Sequence, residues 1–157
     1  MSRQQFDALD CKILRMLSEN ARKPFLEIAR ECNVSGAAVH QRIQKLTATG
    51  VIKGFESLID PSSVGYETCA YIGCLLPPSV DVESMVTELR TVPEVVECHY
   101  TTGKYDLFVK VYARNNDHLL NLITTQLQRI IPGRTETLIS FREEFKRQAP
   151  IDNTNLK

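Results

Sequence analysis

A chain of 157 residues with 43% hydrophobic and 24% charged side chains has the make-up of a globular protein of one domain or two small ones, which excludes disordered and collagen-like chains. The formal net charge is zero, but residues 1–60 carry nine basic and seven acidic side chains and residues 61–157 carry ten and twelve. With no apolar run near the ~18–20 residues that span a bilayer, no basic-then-apolar leader in MSRQQFDALD, and five scattered cysteines lacking a CxxC pair (Cys11, Cys32, Cys69, Cys74, Cys98), a cytoplasmic chain with reduced thiols is expected, without membrane, disulfide scaffold or zinc ribbon.

The first fifty residues read as three helices. Leu9, Ile13, Met16 and Leu17 recur at helical spacing behind Asp7 or Asp10 as an acidic start. Pro24 permits only a helix start, and Ile28, Ala29 and Cys32 line one face of a short second helix. After Asn33-Val34, Ser35 is a good N-cap for a third helix with Val39, Ile43 and Leu46 on its inner face, ended by Gly50. Two short helices joined by a tight turn predict a helix-turn-helix, and Val51–Ile59 has the strand character of a wing behind it. The DPSSVGY stretch, rich in Pro, Ser and Gly, predicts a boundary: a first domain over 1–60, a linker over 61–66 and a second domain over 67–157.

In that second domain, Thr68–Leu76 is strand-like and Pro77-Pro78 breaks it. Val82, Met85, Val86 and Leu89 share a helical face; Val95–Thr101 and Tyr105–Tyr112 read as strands about a Thr102-Gly103-Lys104 turn. Leu120, Ile123, Leu127, Ile130 and Ile131 mark another helix before Pro132-Gly133, and Thr135–Phe141 is the last strand. The order β-α-β-β-α-β predicts a ferredoxin-like α+β domain, an antiparallel sheet with helices on one face only. Tyr71, Val109, Val111 and Phe141 are candidates for the open face, whose apolar content favours a partner subunit over water. Beyond Pro150 the polar tail is expected to fray.

Segment 21–54 sets Arg22, Lys23, Arg30, Arg42, Lys45 and Lys53 against Glu27 and Glu31, a local +4 that suits a polyanion. A 100° step from the buried residues of the third helix turns Ala37, His40, Gln41, Gln44 and Lys45 outward, a face of hydrogen-bonding groups without an acid. Gln pairs bidentately with adenine in the major groove and Lys meets guanine or phosphate, while the small residues Gly36 and Ala37 near the helix start let the backbone come close. Candidate DNA contacts are therefore Ser35, Gly36, Ala37, His40, Gln41, Gln44 and Lys45, with double-stranded DNA as partner; Arg42, nearer the buried edge, is expected to pack its stem or meet a phosphate.

The chain resembles the Lrp/AsnC (leucine-responsive regulatory protein) family of transcription regulators over about residues 7–142. The resemblance is carried by Leu9-Asp10-Cys11-Lys12-Ile13-Leu14, Asn20-Ala21-Arg22, Val34-Ser35 with Val39-x-x-Arg42-Ile43-x-x-Leu46, Gly50-Val51-Ile52, and Val96-x-x-x-Tyr100-x-Thr102-Gly103-x-Tyr105-Asp106-Leu107. It implies a winged helix-turn-helix joined to a ferredoxin-like effector-binding domain, dimers through the sheets that often assemble into octamers, and an amino acid as small-molecule effector. It also implies that the 102–106 hairpin and the last strand line the effector pocket, here Gly103, Tyr105, Asp106, Thr135 and Thr137. From the residues alone, Asp106 reads first as a cap of its own turn, with an ammonium-holding role second, and Thr135 and Thr137 as strand formers, with Glu136 on the opposite face.

No catalytic residue, metal or cofactor is expected. Cys98 and His99 are neighbours on a strand and point to opposite faces, Cys69 and Cys74 read as core thiols, and no phosphate loop, GxSxG or HExxH occurs. Siroheme decarboxylases resemble the same family in fold, but the acidic second domain lacks an Arg/His-rich cluster for a polycarboxylate tetrapyrrole. A stand-alone sensor without DNA binding is the other alternative, opposed by the +4 segment.

Overall fold

The structure, a computed structural model, describes residues 7–151. They fall into two compact units, one reaching Leu58 and taking in the chain from Phe145 onward, the other Ile59–Glu144. Among the described residues no helix is long and apolar enough to cross a membrane.

In the first unit, α1 (Ala8–Glu19), α2 (Phe25–Cys32) and α3 (Gly36–Ala48) bury Ile13, Met16, Leu17, Ile28, Ala29, Val39, Ile43 and Leu46 in one core, the periodicity expected. Their starts are locally encoded. Asp7 caps α1 in a reciprocal box, accepting from Asp10 N at 2.8 Å while Asp7 N donates to Asp10 Oδ2 at 3.2 Å. Ser35 Oγ accepts from Ala38 N at 3.2 Å, and Asn33, left-handed at φ 54°, turns the chain between α2 and α3. Arg42 is not a free phosphate contact: its Nη1 holds both Asp7 and, at 3.0 Å, Asp10 Oδ1, tying α3 to the start of α1. Asp10, 5% exposed, is thereby buried with a counter-charge.

The expected wing does not form. Residues 51–60 make no strand ladder among the described residues, because no second strand lies beside them, and Phe55, Leu58 and Ile59 are exposed. The expected linker is built rather than loose: Asp60 Oδ2 accepts from Ser62 Oγ, Ser63 Oγ and Ser63 N at 2.5, 2.6 and 2.9 Å, capping a 3-10 turn over Ser62–Val64. The tail, expected with the second domain, groups instead with the first unit, where Arg15 Nε donates to Ile151 O at 2.8 Å.

The second unit has the expected order. β1 (Thr68–Leu75), α4 (Val82–Leu89), β2 (Val95–Tyr100), β3 (Leu107–Ala113), a helix α5 over 116–130 and β4 (Arg134–Ser140) give a sheet in the order β2-β3-β1-β4, antiparallel throughout. The middle of α5, Leu122–Leu127, widens to a π-helix, where Thr124 and Thr125 hydroxyls bond to the carbonyls of Leu120 and Asn121 a turn back. Ala70, Ile72, Cys74, Leu107, Val109 and Val111 pack under the helices with Met85, Leu89, Leu122 and Leu127. Val109 and Val111 were expected on the open face and lie on the helix side. The residues alternating with them on β3 take the open face: Phe108, which stacks on Tyr71 at 5.6 Å, Lys110 and Tyr112. Cys69 shares their face and is half-buried, not a core thiol; Cys74 is buried under the helices, where burial pushes its thiol up to about 12.

Candidate functional site

Two sites emerge, one in each unit. On α3, buried Val39, Ile43 and Leu46 leave His40, Gln41, Gln44 and Lys45 exposed together with Ser35 and Ala37, while Gly36 is half-buried. Of the basic residues in segment 21–54, Lys23 is paired with Glu31 at 2.7 Å and Arg42 with Asp7 and Asp10. Arg22, Arg30, Lys45 and Lys53 are exposed and have no ion-pair partner among the described residues, so four cations remain available to an external anion.

The second site is the hairpin between β2 and β3. β3 begins at Leu107, later than expected, which leaves Tyr105 and Asp106 in the connection. Gly103 takes φ 110° at the tip. Thr101 N donates to Asp106 O at 2.9 Å and Thr101 Oγ1 to Tyr105 O at 2.6 Å, closing the loop. Asp106 N donates to Cys74 O at 2.9 Å, and Asp106 Oδ2 accepts from Leu76 N at 2.7 Å, so one carboxylate oxygen clamps the hairpin to the end of β1. The other has no hydrogen bond among the described residues.

Tyr105 lies flat over β1. A Cβ on Gly73 would stand 2.6–2.7 Å from its ring, so glycine at 73 makes the crossing possible. The ring carries its hydroxyl across to Glu136 Oε2, 2.8 Å away on β4, which also accepts from Lys104 Nζ at 2.6 Å. Lys104 and then Tyr105 hold the Glu136 carboxyl below its ordinary value. Sequence reading placed Glu136 outside the site. Its position opposite Gly73 in the β1–β4 register, plus the long reach of Tyr105, brings it in. Thr135 and Thr137 pair with Cys74 and Ile72 and so lie on the helix side, away from Tyr105 and Glu136.

His99 is exposed, 3.5 Å from Glu97; His118 Nδ1 accepts from Arg114 N at 3.1 Å and its Nε2 lies 3.6 Å from Glu94. No cluster of three His, Cys, Asp or Glu that could hold a metal occurs among the described residues.

Comparison with known proteins divides the chain in the same order, except that residues 145–150, grouped with the first unit in the fold, fall within the second family model. Residues 6–47 match the family model of the AsnC-type helix-turn-helix domain, and residues 69–150 match that of the Lrp/AsnC ligand binding domain. The chain is 39% identical over 142 residues to regulatory protein AsnC of Haemophilus influenzae, covering 90% of this chain and 95% of that one. It is 34% identical over 148 residues to regulatory protein AsnC of Escherichia coli K12, covering 94% and 97%. The solved structure of E. coli AsnC superposes with a TM-score of 0.85 at 34% identity, over 93% of this chain and 99% of that one. The transcriptional regulator NMB0573 of Neisseria meningitidis, solved as a complex with L-Met, shares the fold with a TM-score of 0.87 at 21% identity, over 98% and 100% of the two chains.

Proposed function

The chain belongs to the Lrp/AsnC family of helix-turn-helix transcription regulators with a ligand-binding domain, and from that premise we propose how its own residues divide the work. Ser35, Gly36, Ala37, His40, Gln41, Gln44 and Lys45 enter the major groove. The observation that carries this is a single acid-free face of α3 in a segment with four exposed cations that have no ion-pair partner among the described residues. Replacing Gln41 or Gln44 by Ala is expected to cost about 1–3 kcal/mol and relax one operator position. Replacing Lys45 is expected to weaken all sequences alike and flatten the salt dependence. Anisotropy titrations at several salt concentrations read both effects; three variants that bind as the parent does would put the reading face elsewhere.

The effector is an amino acid, as the L-Met held by NMB0573 exemplifies for a protein of this fold. It sits at the end of the sheet where the hairpin meets β4, with Gly103, Tyr105, Asp106, Thr135 and Thr137 around it. β4 is an edge strand, and a ligand over its free edge reaches Thr135 and Thr137 on one side and Tyr105 on the other. The unbonded oxygen of Asp106 takes the ammonium, and backbone N–H groups near Gly103 with the threonine hydroxyls take the carboxylate. A second copy of the chain, docked on the open sheet face as a homodimer, completes the assembly that presents two reading helices at once.

Thermal-shift measurement against the twenty amino acids finds the ligand, since binding to the native state raises the melting temperature. Asp106→Asn tests the ammonium site. Its side-chain oxygen still accepts from Leu76 N and keeps the hairpin, but the charge is gone. A lost charge-assisted bond of roughly 1.5–3 kcal/mol weakens binding about ten- to a hundredfold. Full-strength binding in calorimetry would leave Asp106 only its role in the hairpin.

A further inference from the structure

Two large apolar side chains stand outside the core at the start of α2. Leu26 is 67% exposed and Phe25 37%. Single exposed apolar residues are ordinary, but these two are joined to the start of α3. The Phe25 ring lies 6.2 Å from that of His40, tilted by 56°. Leu26 Cδ2 lies 3.2 Å from the place a Cβ on Gly36 would occupy, so a larger residue at 36 would press on it. With exposed Ala37 beside Gly36, the result is one contiguous apolar patch at the N-terminal turn of the helix that reads DNA. Arg22 in the turn before α2, Arg30 one helical turn beyond Leu26 on α2, and Lys45 on α3 are exposed and without ion-pair partners among the described residues. Apolar surface set among such cations fits a polyanion that itself carries an apolar group. In the major groove the apolar group on a base edge is the thymine C5-methyl.

We propose that Leu26, together with Ala37, reads a thymine methyl in each operator half-site. The inference rests on α3 being the DNA-reading helix and adds a specificity residue from outside it. Phe25 extends the patch towards His40, and Gly36 lets Leu26 lean over the helix start, where base contacts concentrate.

The test uses the full chain and duplexes it selects from a random DNA library. Each thymine of the selected site is replaced singly by deoxyuridine, which removes the methyl and nothing else. One thymine per half-site is expected to weaken binding about fourfold on replacement, the ~0.8 kcal/mol of one buried methyl-sized group. In Leu26→Ala, with its melting temperature unchanged, the thymine-to-uracil ratio at that position falls to about one; Leu26→Gln, polar but of similar length, gives the same. Lys45→Ala weakens both duplexes and keeps the ratio. A selected site indifferent to uracil everywhere, or a ratio that survives both Leu26 variants, overturns the methyl-reading role and leaves DNA binding standing. Failure to enrich any duplex overturns both.

Discussion

Gly133→Ala is expected to destabilise the second unit by about 3 kcal/mol or more, the largest effect of alanine at any glycine among the described residues. Gly133 stands at φ 151°, backbone that side chains avoid, and a Cβ there would lie 2.1 Å from the carbonyl oxygen of Leu75. That oxygen is main chain in β1, where Leu75 pairs with Arg134, so it cannot swing aside as a side chain would. Relief requires the start of β4 to leave β1, with ladder hydrogen bonds worth about 1 kcal/mol each. Added to roughly 1–3 kcal/mol of backbone strain, the sum lowers the melting temperature by about 12 °C or more. Gly103→Ala is the control. Its φ of 110° is also strained, but nothing lies within 4 Å of its Cβ position, so it pays strain alone. Equal melting temperatures for the two variants would show that the Leu75 contact yields without cost. Because Thr135 follows two residues later, the shifted strand is also expected to weaken effector binding.

How far such effects could be read from the sequence depends on range. The helix starts were legible because their causes are local: Asp7 and Asp10 are three residues apart, and Ser35 caps the amide of Ala38. Pro132-Gly133 was legible as a helix end, but the reason for glycine there is the Leu75 carbonyl on another strand. Arg42 finds Asp7 and Asp10, and Tyr105 finds Glu136, across more than thirty residues, which no periodicity encodes. The wing failed for a related reason: β-branched residues in Val51–Ile59 satisfy strand propensity, yet a strand needs a neighbour to bond. The two faces of β3 were misassigned because LFVKVYA is apolar on both. Only Lys110 breaks the run, and it is itself buried.

That lysine is the most sensitive point of the open face. Lys110 is 5% exposed, with Nζ 3.5 Å from both Glu97 Oε1 and Glu143 Oε2 and over the rings of Tyr112 and Tyr71 at 5.3 and 5.7 Å. Burial opposes its charge, but the Tyr112 hydroxyl, Glu97 and Tyr71 outweigh it and hold the ammonium above its ordinary value. Lys110→Met deletes the charge and keeps the stem. Glu97 and Glu143 are more than a third exposed, so water takes over their solvation, and the change is expected to stay within about 1 kcal/mol. Lys110→Glu instead buries a third carboxylate between two others, an unpaired buried charge that costs about 3–5 kcal/mol. Its pH dependence follows from the sign. The new carboxyl has a raised folded pKa, so the loss is full at pH 8 and shrinks as pH falls towards 5 and the group takes up a proton. Sedimentation carries the same test to the proposed dimer. Lys110→Met should sediment as the parent does, whereas Lys110→Glu at pH 8 places like charges on the face proposed for the second copy and should run as a monomer. A Lys110→Glu protein as stable as Lys110→Met at pH 8 would mean that Glu97 and Glu143 turn to solvent and that the lysine is held by its tyrosines alone.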